Sequence, residues 1–173
     1  VKIMLSTSSA KYSVKAISVL KIPILGEAYV GKTTIANVLS GGGYVKDYNM
    51  TVGVDIFMRY IETREKVIKI QLWDLAGQRR FSFLRKFFYR GAHGALFVFD
   101  LTRKDTFLIL PEWIRDFKFL HPDVPIIIVG NKKDLIKKRE VNVKEAEYLA
   151  LKHNAKYIET SAKTGENVER AFM

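Results

Sequence analysis

Residues 26–33 of the chain read GEAYVGKT and match the pattern G-x-x-x-x-G-K-[ST] of a loop that wraps phosphate. An apolar, β-branched segment at 17–25 precedes this loop, and a segment of helical character at 33–39 follows it. The backbone N–H groups of such a loop face the anion, and the following helix turns its positive end toward it. Lys32 would place its charge on the β- and γ-phosphates, and the Thr33 hydroxyl would bind magnesium. The motif and its context therefore predict a nucleoside triphosphate or a related phosphate ligand, without indicating the base.

A second motif, Asn131-Lys132-Lys133-Asp134, directly follows the apolar run at residues 126–130. The Asp134 carboxylate can accept hydrogen bonds from both the N1–H and the 2-amino group of guanine. Adenine presents no such pair of donors, so it would leave the carboxylate desolvated and without a partner. The motif therefore favours guanine, although a surface loop with two lysines stays open as an alternative when the motif is taken alone.

Predicted strands and helices alternate along the chain. Two of the strands are continuous apolar runs, which are typical of strands covered on both faces of a parallel sheet. The alternation predicts an α/β sheet with right-handed crossovers, whose ligands bind at the carboxyl ends of the strands. The predicted strands are residues 17–25, 51–62, 66–73, 94–99, 125–129 and 156–159, and the predicted helices are residues 33–39, 112–119 and 143–151.

Length and composition limit the class of protein. The 173 residues, 48% of them hydrophobic, fit one globular domain, and the absence of cysteine excludes disulfides and thiolate metal sites. The sequence has no apolar run of the ~18 residues that span a membrane, and its opening stretch lacks the apolar core of a signal peptide. We therefore expect a cytoplasmic protein with an N-terminal extension at residues 1–16. The net charge of +11 invites anionic partners such as nucleotide, acidic protein surfaces or anionic lipid.

Five motifs with roles in nucleotide chemistry follow one another along the chain. They are the phosphate loop, Thr51, DLAGQ at residues 74–78, NKKD at 131–134 and ETSAK at 159–163. With these motifs at family-like spacings, residues 17–173 resemble the Ras-like small GTPases. Further stretches resemble signatures of the Rab branch, at residues 52–55, 71–74 and 88–94. The resemblance implies an α/β P-loop NTPase fold, the Ras-like G domain, with a mostly parallel six-stranded sheet flanked by helices on both faces.

The resemblance also implies a magnesium site and a hydrolytic apparatus. The hydroxyls of Thr33 and Thr51 would bind Mg²⁺, and the Asp74 carboxylate would hold the ion through a water molecule. The N–H groups of Thr51 and Gly77 would reach the γ-phosphate, and Gln78 would orient the attacking water, as the corresponding glutamine does in Ras itself. The catalytic residues that the resemblance implies are Lys32, Thr51, Gly77 and Gln78.

The resemblance also implies which residues contact the base and cover the phosphates. Tyr44 sits where the family stacks an aromatic ring against guanine, and Tyr48 sits where it places a tyrosine over the phosphates. Lys132 and Lys163 would pack on either side of the base, and the Ala162 N–H would bind the guanine carbonyl. The other nucleotide contacts that we predict are Glu27, Ala28, Tyr29, Val30, Gly31, Lys32, Thr33, Thr34, Thr51, Gly77, Asn131, Asp134 and Ser161.

The implied activity is that of a switch that binds GTP and GDP and hydrolyses GTP with Mg²⁺, in signalling or membrane trafficking. The sequence shows no evident internal arginine finger, so we expect slow turnover and an activating partner whose arginine adds about 10³–10⁵ in rate. A scaffold that holds one nucleotide without hydrolysing it is the alternative. A basic module for nucleic acid or anionic membrane is disfavoured.

Partner contacts follow from the Rab resemblance. Trp73 and Phe88 match an aromatic patch by which Rab proteins meet effectors, with Ile56 in the third place, although well-packed structural residues would look the same. We expect a monomer that binds effector, activator and exchange-factor proteins through the two switch regions of the family, which would contain Thr51 and Gly77. Peripheral contact with the cytoplasmic face of a membrane stays open.

Several residues depart from the family pattern. Ala28 and Tyr29 stand inside the phosphate loop where relatives carry small residues, so Tyr29 must point away from the phosphates or cover them. Pro23 falls within a predicted central strand, where it would remove a ladder hydrogen bond. Pro111 predicts that its helix starts late or kinks. Residues 167–173 resemble the first turns of the family's final helix, so we expect the domain at 17–173 to end inside that helix.

Overall fold

The computed structural model describes residues 16–42, 53–75 and 87–172. Its strands are β1 (Ala16–Leu25), β2 (Val54–Glu62), β3 (Lys66–Leu75), β4 (Ala95–Asp100), β5 (Ile126–Asn131) and β6 (Lys156–Glu159). In this part of the chain they form one six-stranded sheet in the order β2-β3-β1-β4-β5-β6. β2 runs antiparallel to β3, and every other neighbouring pair is parallel. The predicted, mostly parallel α/β sheet is therefore confirmed.

Helices connect the parallel strands. They are α1 (Lys32–Leu39), α2 (Lys104–Leu108), α3 (Leu110–Leu120) and α4 (Val143–Lys152), with a 3₁₀ turn at Ile136–Lys138. α1 directly follows the phosphate loop, α2 and α3 lie between β4 and β5, and α4 lies between β5 and β6. Such crossovers bring the carboxyl ends of the parallel strands to one edge of the sheet.

The sheet separates two clusters of buried apolar side chains. Successive residues of a strand enter different clusters because their side chains point to opposite faces. In β4, Phe97 packs edge-on against Phe117 of α3 with ring centroids 5.7 Å apart, while Val98 joins Ile35 of α1 in the other cluster. Helices therefore cover both faces of the sheet at β4, and all six residues of that strand are buried.

The two prolines singled out in the sequence are accommodated differently. Pro23 lies in the central strand β1, where it pairs with Trp73 of β3. β4 pairs only with the last two residues of β1. Before that point His93 replaces the neighbouring strand, since Lys21 N–H donates to His93 Nδ1 over 3.1 Å and His93 N–H donates to the Lys21 carbonyl over 2.9 Å. The backbone nitrogen of Pro23 points to this side of β1, as that of Lys21 does. The N–H that proline lacks would therefore lie just before the first residue of β1 that pairs with β4.

Pro111 lies in the first turn of α3, where its missing N–H costs no helical hydrogen bond. The helix begins at Leu110, and a separate short helix, α2, ends two residues earlier at Leu108. The expectation of a late or kinked helix is thus confirmed, whereas α2 itself was missed by the sequence analysis.

The remaining boundaries agree within a few residues. β2 begins at Val54 rather than at the predicted residue 51, and residues 51–52 lie outside the described part. Within the described ranges, no helix is both long and apolar enough to cross a membrane. The N-terminal extension at residues 1–16 and the end of the domain inside a final helix stay predictions.

Candidate nucleotide site

The predicted phosphate loop joins β1 to α1, and its path requires glycine at two positions. Gly26 has a φ of +138°, and a Cβ there would lie 2.1 Å from the carbonyl oxygen of Val98 in β4. Gly31 has a φ of +101°, and a Cβ there would lie 2.2 Å from Asn131 Nδ2. The loop therefore packs directly against its neighbours at both ends, which any side chain at these glycines would prevent.

Lys32 begins α1 with a side chain that is almost fully buried. Its ammonium group donates to the Glu27 carbonyl oxygen over 2.8 Å, back across the loop. Among the described residues, no side chain caps the N-terminus of α1, and its first turn carries no acidic residue. The lysine charge and the helix N–H groups thus concentrate positive potential inside the loop, which suits an anion such as phosphate.

Thr33 and Asp74 meet beside the loop. The Thr33 hydroxyl donates a short hydrogen bond to Asp74 Oδ2, and Asp74 is fully buried. The register explains the meeting, because Ile24 near the end of β1 pairs with Asp74 near the end of β3. A hydroxyl and a carboxylate are the hard oxygen ligands that Mg²⁺ takes, so this donor set fits the ion. The third predicted ligand, Thr51, lies outside the described residues.

The buried Asn131 side chain connects the phosphate loop to the ETSAK segment. Its Nδ2 donates to the Val30 carbonyl over 2.9 Å. Its Oδ1 accepts from the Ala162 N–H at 3.0 Å and from the Thr160 hydroxyl at 3.1 Å. Both ends of the amide are therefore used to fix the loop at residues 26–31 and the ETSAK segment relative to each other.

Asp134 is held by the same segment. The Ser161 hydroxyl donates to Asp134 Oδ1 over 2.6 Å, and Ser161 Oγ in turn accepts from the Thr164 N–H at 3.2 Å. Ser161 itself is fully buried. The carboxylate predicted to read guanine is thus oriented by a hydrogen-bonded serine.

Comparison with known proteins agrees with this geometry. The family model of the Ras family matches residues 21–173. This chain belongs to the Ras family. Over 154 residues it is 40% identical to Ras-related protein Rab-4B of Homo sapiens and 41% identical to Ras-related protein Rab-4A of Rattus norvegicus. These matches cover 88% of this chain, 72% of the Rab-4B protein and 71% of the Rab-4A protein. The chain is accordingly a Rab-like small GTPase.

An ion pair missed by the sequence analysis lies at the NKKD motif of this Ras-family protein. Lys132 adopts a φ of +69°, and its ammonium group lies 2.6 Å from Asp100 Oδ2 at the end of β4. Burial alone would raise the pKa of the Asp100 carboxyl, but hydrogen bonds from Lys132 and Thr102 outweigh burial and hold that pKa below its ordinary value. The position of Asp100 at the carboxyl end of a buried strand was the signal that could have found it.

Two further contacts to the phosphate loop of this Ras-family protein carried no signal in the sequence. Trp113 of α3, itself buried, donates from Nε1 to Glu27 Oε1 over 3.2 Å. Arg103 donates from Nη2 to the Ala28 carbonyl oxygen over 2.8 Å. The chain folds these side chains onto the loop from regions 75 and 86 residues away in sequence, a proximity that no local pattern encodes.

Tyr29, the unusual residue of the loop, has a φ of +65° and a side chain that is 57% exposed. A bulky residue in this left-handed region is an outlier that costs about 1 kcal/mol or more. Since the side chain is more than half exposed, the loop accommodates it by directing the ring outward. Of the two arrangements expected for Tyr29, pointing away from the phosphates is the one that this exposure favours.

The aromatic patch predicted for effector contact lies on the β2–β3 side of the sheet. The Trp73 and Phe88 ring centroids are 6.3 Å apart, and Ile56 of β2 pairs with Trp73 in register and is exposed. The Lys21 ammonium group lies 3.8 Å from the Trp73 ring centroid and donates to the Arg90 carbonyl over 2.9 Å. The three patch residues are therefore neighbours in the folded protein.

The remaining predicted site residues divide into two that the structure describes and five that lie outside the described ranges. Thr34 lies in α1, half-buried, and Lys163 follows Ala162 with an exposed side chain. The other predicted residues lie outside the described part of the chain, and they are Tyr44, Tyr48, Thr51, Gly77 and Gln78.

Proposed function

We propose that this Rab-like small GTPase binds GTP and GDP together with Mg²⁺ between its phosphate loop and the loops at residues 131–134 and 159–163. The observation that carries the proposal is the Asn131 amide, which bonds Val30 on one side and Ala162 on the other. This buried side chain holds together two loops, one suited to phosphate and the other to guanine, so that they form a single site. Such a site at the carboxyl ends of the parallel strands is where ligands of this architecture bind.

The phosphate side of the proposed site would act by neutralising and positioning charge. The buried Lys32 would pair with the β- and γ-phosphates, and the N–H groups of the loop and α1 would bind their oxygens. Thr33 and Asp74, with Thr51, would hold Mg²⁺, which would supply further neutralisation of the phosphate charge. Catalysis of phosphoryl transfer consists mainly of such positioning and charge neutralisation, together with an aligned water molecule.

Hydrolysis would depend on Gln78 to orient the attacking water and on the Gly77 N–H to bind the γ-phosphate, with slow turnover in the absence of an activator. Single-turnover assays with Mg²⁺ should detect GTP hydrolysis by the wild type and a large decrease in the Gln78→Leu variant. A protein that exchanges nucleotide but never hydrolyses GTP would instead support the scaffold alternative.

Guanine selection is proposed for Asp134, oriented by Ser161. In Asp134→Asn an NH₂ donor replaces one of the two acceptor oxygens, so the side chain no longer matches the two donors of guanine but suits the donor and acceptor pattern of xanthine. We expect GDP affinity to fall on the order of 10⁴-fold, because a site built for hydrogen bonds strongly rejects a mismatched pattern. Xanthosine diphosphate should bind the variant more tightly than GDP, as measured with fluorescent analogues of both nucleotides.

Lys133 provides the matched control for this experiment. It lies beside Asp134 in the sequence but pairs with Glu166 at the surface, 2.5 Å away. Lys133→Ala should leave the affinities for both nucleotides nearly unchanged. Unaltered GDP binding in Asp134→Asn would contradict the proposed role of the carboxylate.

Tyr29 is proposed to restrict how an activating protein approaches the phosphates. An activator's arginine must enter beside the phosphate loop, where the exposed Tyr29 ring stands. We expect the activator to accelerate a Tyr29→Gly variant more than the wild type, because glycine removes the ring and tolerates the left-handed backbone. Equal acceleration of both proteins in the same assay would contradict this role.

The proposed partners are effectors that contact Trp73, Phe88 and Ile56, together with activator and exchange-factor proteins at the switch regions. The first of these contacts is supported by the clustering of the three residues, of which Ile56 is exposed and Trp73 and Phe88 are half-buried. We propose a cytoplasmic monomer that contacts the cytoplasmic face of a membrane peripherally.

A further inference from the structure

Asp100 is a buried carboxylate shared by two basic side chains that belong to different parts of the site. The Lys132 ammonium group lies 2.6 Å from Asp100 Oδ2, and Arg103 Nε lies 3.3 Å from the same oxygen. The other oxygen, Oδ1, accepts from the Thr102 N–H at 2.8 Å and from its hydroxyl at 2.7 Å. Four donors thus fix both oxygens, so the carboxylate is a rigid point of attachment.

Arg103 extends from this attachment point to the phosphate loop. While its Nε contacts Asp100, its Nη2 donates to the Ala28 carbonyl oxygen over 2.8 Å. Ala28 directly precedes Tyr29, whose left-handed backbone turns the chain toward Val30. The guanidinium group therefore bonds the loop next to its left-handed tyrosine, and its planar fork bonds two acceptors at once.

Together these contacts form one connection across the site, from Lys132 through Asp100 and Arg103 to Ala28. We propose that Arg103 is a positioning residue that slows nucleotide release by fastening the phosphate loop to the guanine-recognition lysine through Asp100. This inference rests on the proposed function, since it assigns a residue to the nucleotide site described there. Arg103 has no contact with the nucleotide in this role; it acts through Ala28 and Asp100.

The physical reason is that nucleotide release requires movement of the phosphate loop or of the loop at residues 131–134. A loop held by a guanidinium–carbonyl bond must break that bond or carry Asp100 and Lys132 with it. Hydrogen bonds that involve a charged group contribute enough that losing one changes a rate by about tenfold or more. The Arg103 side chain is 37% exposed, so solvent weakens the effect and we expect a value near tenfold.

Arg59 offers a matched control elsewhere in the fold. Its Nη1 donates to the Leu39 carbonyl over 3.0 Å, and its guanidinium pairs with both carboxylate oxygens of Glu169 at 2.7 and 3.1 Å. Arg59 thus makes the same two kinds of bond as Arg103, to a backbone carbonyl and to a carboxylate, but at the far end of α1. Its removal tests what general loosening of the fold does to nucleotide release.

The experiment measures dissociation of a fluorescent GDP analogue, with Mg²⁺ and excess unlabelled GDP, from wild type, Arg103→Ala, Arg103→Lys and Arg59→Ala. We expect Arg103→Ala to release nucleotide about tenfold faster than wild type and Arg59→Ala to change the rate less than about twofold. Arg103→Lys keeps the charge but loses the fork, so its rate should fall between those of wild type and Arg103→Ala. Thermal unfolding of the four proteins without nucleotide shows whether each is folded.

A second arm tests the connection to Lys132. If Arg103 and Lys132 act through the same carboxylate, combining Arg103→Ala with Lys132→Ala should raise the release rate by less than the product of the single effects. Independent, multiplicative effects would overturn the coupling through Asp100.

The remaining outcomes separate the inference from the proposed function. Wild-type release rates in Arg103→Ala, or equal acceleration by Arg59→Ala, would overturn the role of Arg103 while leaving GDP binding established. A wild-type protein that binds no GDP would overturn the proposed function and this inference with it.

Discussion

Strands β4 and β2 belong to the same sheet but have different surroundings. All six residues of β4 are buried, since the strand has β1 and β5 as neighbours and helices on both faces. β2 pairs with β3 at the end of the sheet order, and Ile56, Met58 and Tyr60 on one of its faces are exposed. The two strands therefore differ in both neighbours and cover, although both consist largely of apolar residues.

This difference corresponds to two kinds of task. β4 supports the proposed nucleotide site, because the Val98 carbonyl packs against Gly26 and Asp100 at its end anchors Lys132 and Arg103. Side chains on β2 and β3 instead form a surface that a partner protein could cover. A close-packed region gives fixed geometry to a ligand site, whereas an exposed apolar face is available for recognition.

Truncating a core residue of β4 should break the fold most severely. Phe97→Ala removes a fully buried ring that contacts Phe117 and should lower the free energy of unfolding by about 3–5 kcal/mol. Urea or guanidinium titration followed by circular dichroism measures the change. A loss below about 1 kcal/mol would mean that β4 tolerates truncation as a surface strand does.

Two ion pairs at opposite ends of the strand order, one on β6 and one on β2, should also differ in how much they stabilise the fold. Arg139 is bonded to both oxygens of Glu159 in β6, and the Tyr157 hydroxyl donates to the same carboxylate over 2.8 Å. Glu159→Gln should lower the free energy of unfolding by about 1–3 kcal/mol, because it disrupts a largely buried set of donors. Glu169→Gln, in the exposed pair with Arg59, should cost less.

The Glu159 interaction also predicts the pH dependence of stability. Burial alone would raise the pKa of the Glu159 carboxyl, but hydrogen bonds from Arg139 and Tyr157 outweigh burial and lower that pKa from its ordinary value of 4.5. A lowered folded-state pKa means that this contribution is complete above about pH 4.5 and is lost as the pH falls through the folded-state pKa. The free energy of unfolding should therefore fall less steeply with decreasing pH for Glu159→Gln than for wild type. Identical slopes for the two proteins would contradict this assignment of the pH dependence to Glu159.

A truncation on β2 should have the smallest effect. Ile56 is 44% exposed beside Trp73, so Ile56→Ala should change the free energy of unfolding by no more than about 0.5 kcal/mol. The same denaturant titration used for Phe97→Ala gives the direct comparison. A loss as large as that of the β4 variant would show that this side of the sheet is also part of the core.

Much of the fold was predictable because local patterns determine it. The apolar runs at β4 and β5 predict strands covered on both faces, and the observed burial confirms this. The phosphate-loop glycines were recognisable because their conformations and close approaches allow no side chain. Pro111 marked the start of α3 correctly because a proline without an N–H fits only a first turn.

The parts that sequence reasoning missed depend on distant segments meeting. Arg103, Trp113 and Asp100 belong to common residue types in unremarkable local contexts, and their contacts with the site exist only after β4, α3 and the phosphate loop have assembled. The short helix α2 was missed because five residues give too little periodicity to recognise. His93 in place of a strand neighbour is likewise a tertiary arrangement that a strand pattern does not contain.

Side chains hold the main chain of residues 26–31 in place, because three of its carbonyl groups accept hydrogen bonds from Lys32, Arg103 and Asn131. Its shape consequently depends on atoms that every amino acid possesses. Substitution at positions 28 and 29 can therefore alter the outer surface of the loop while these three carbonyl hydrogen bonds stay in place. An aromatic side chain such as Tyr29 can therefore appear on the surface of the loop in the course of evolution without any change in the residues that bond its main chain.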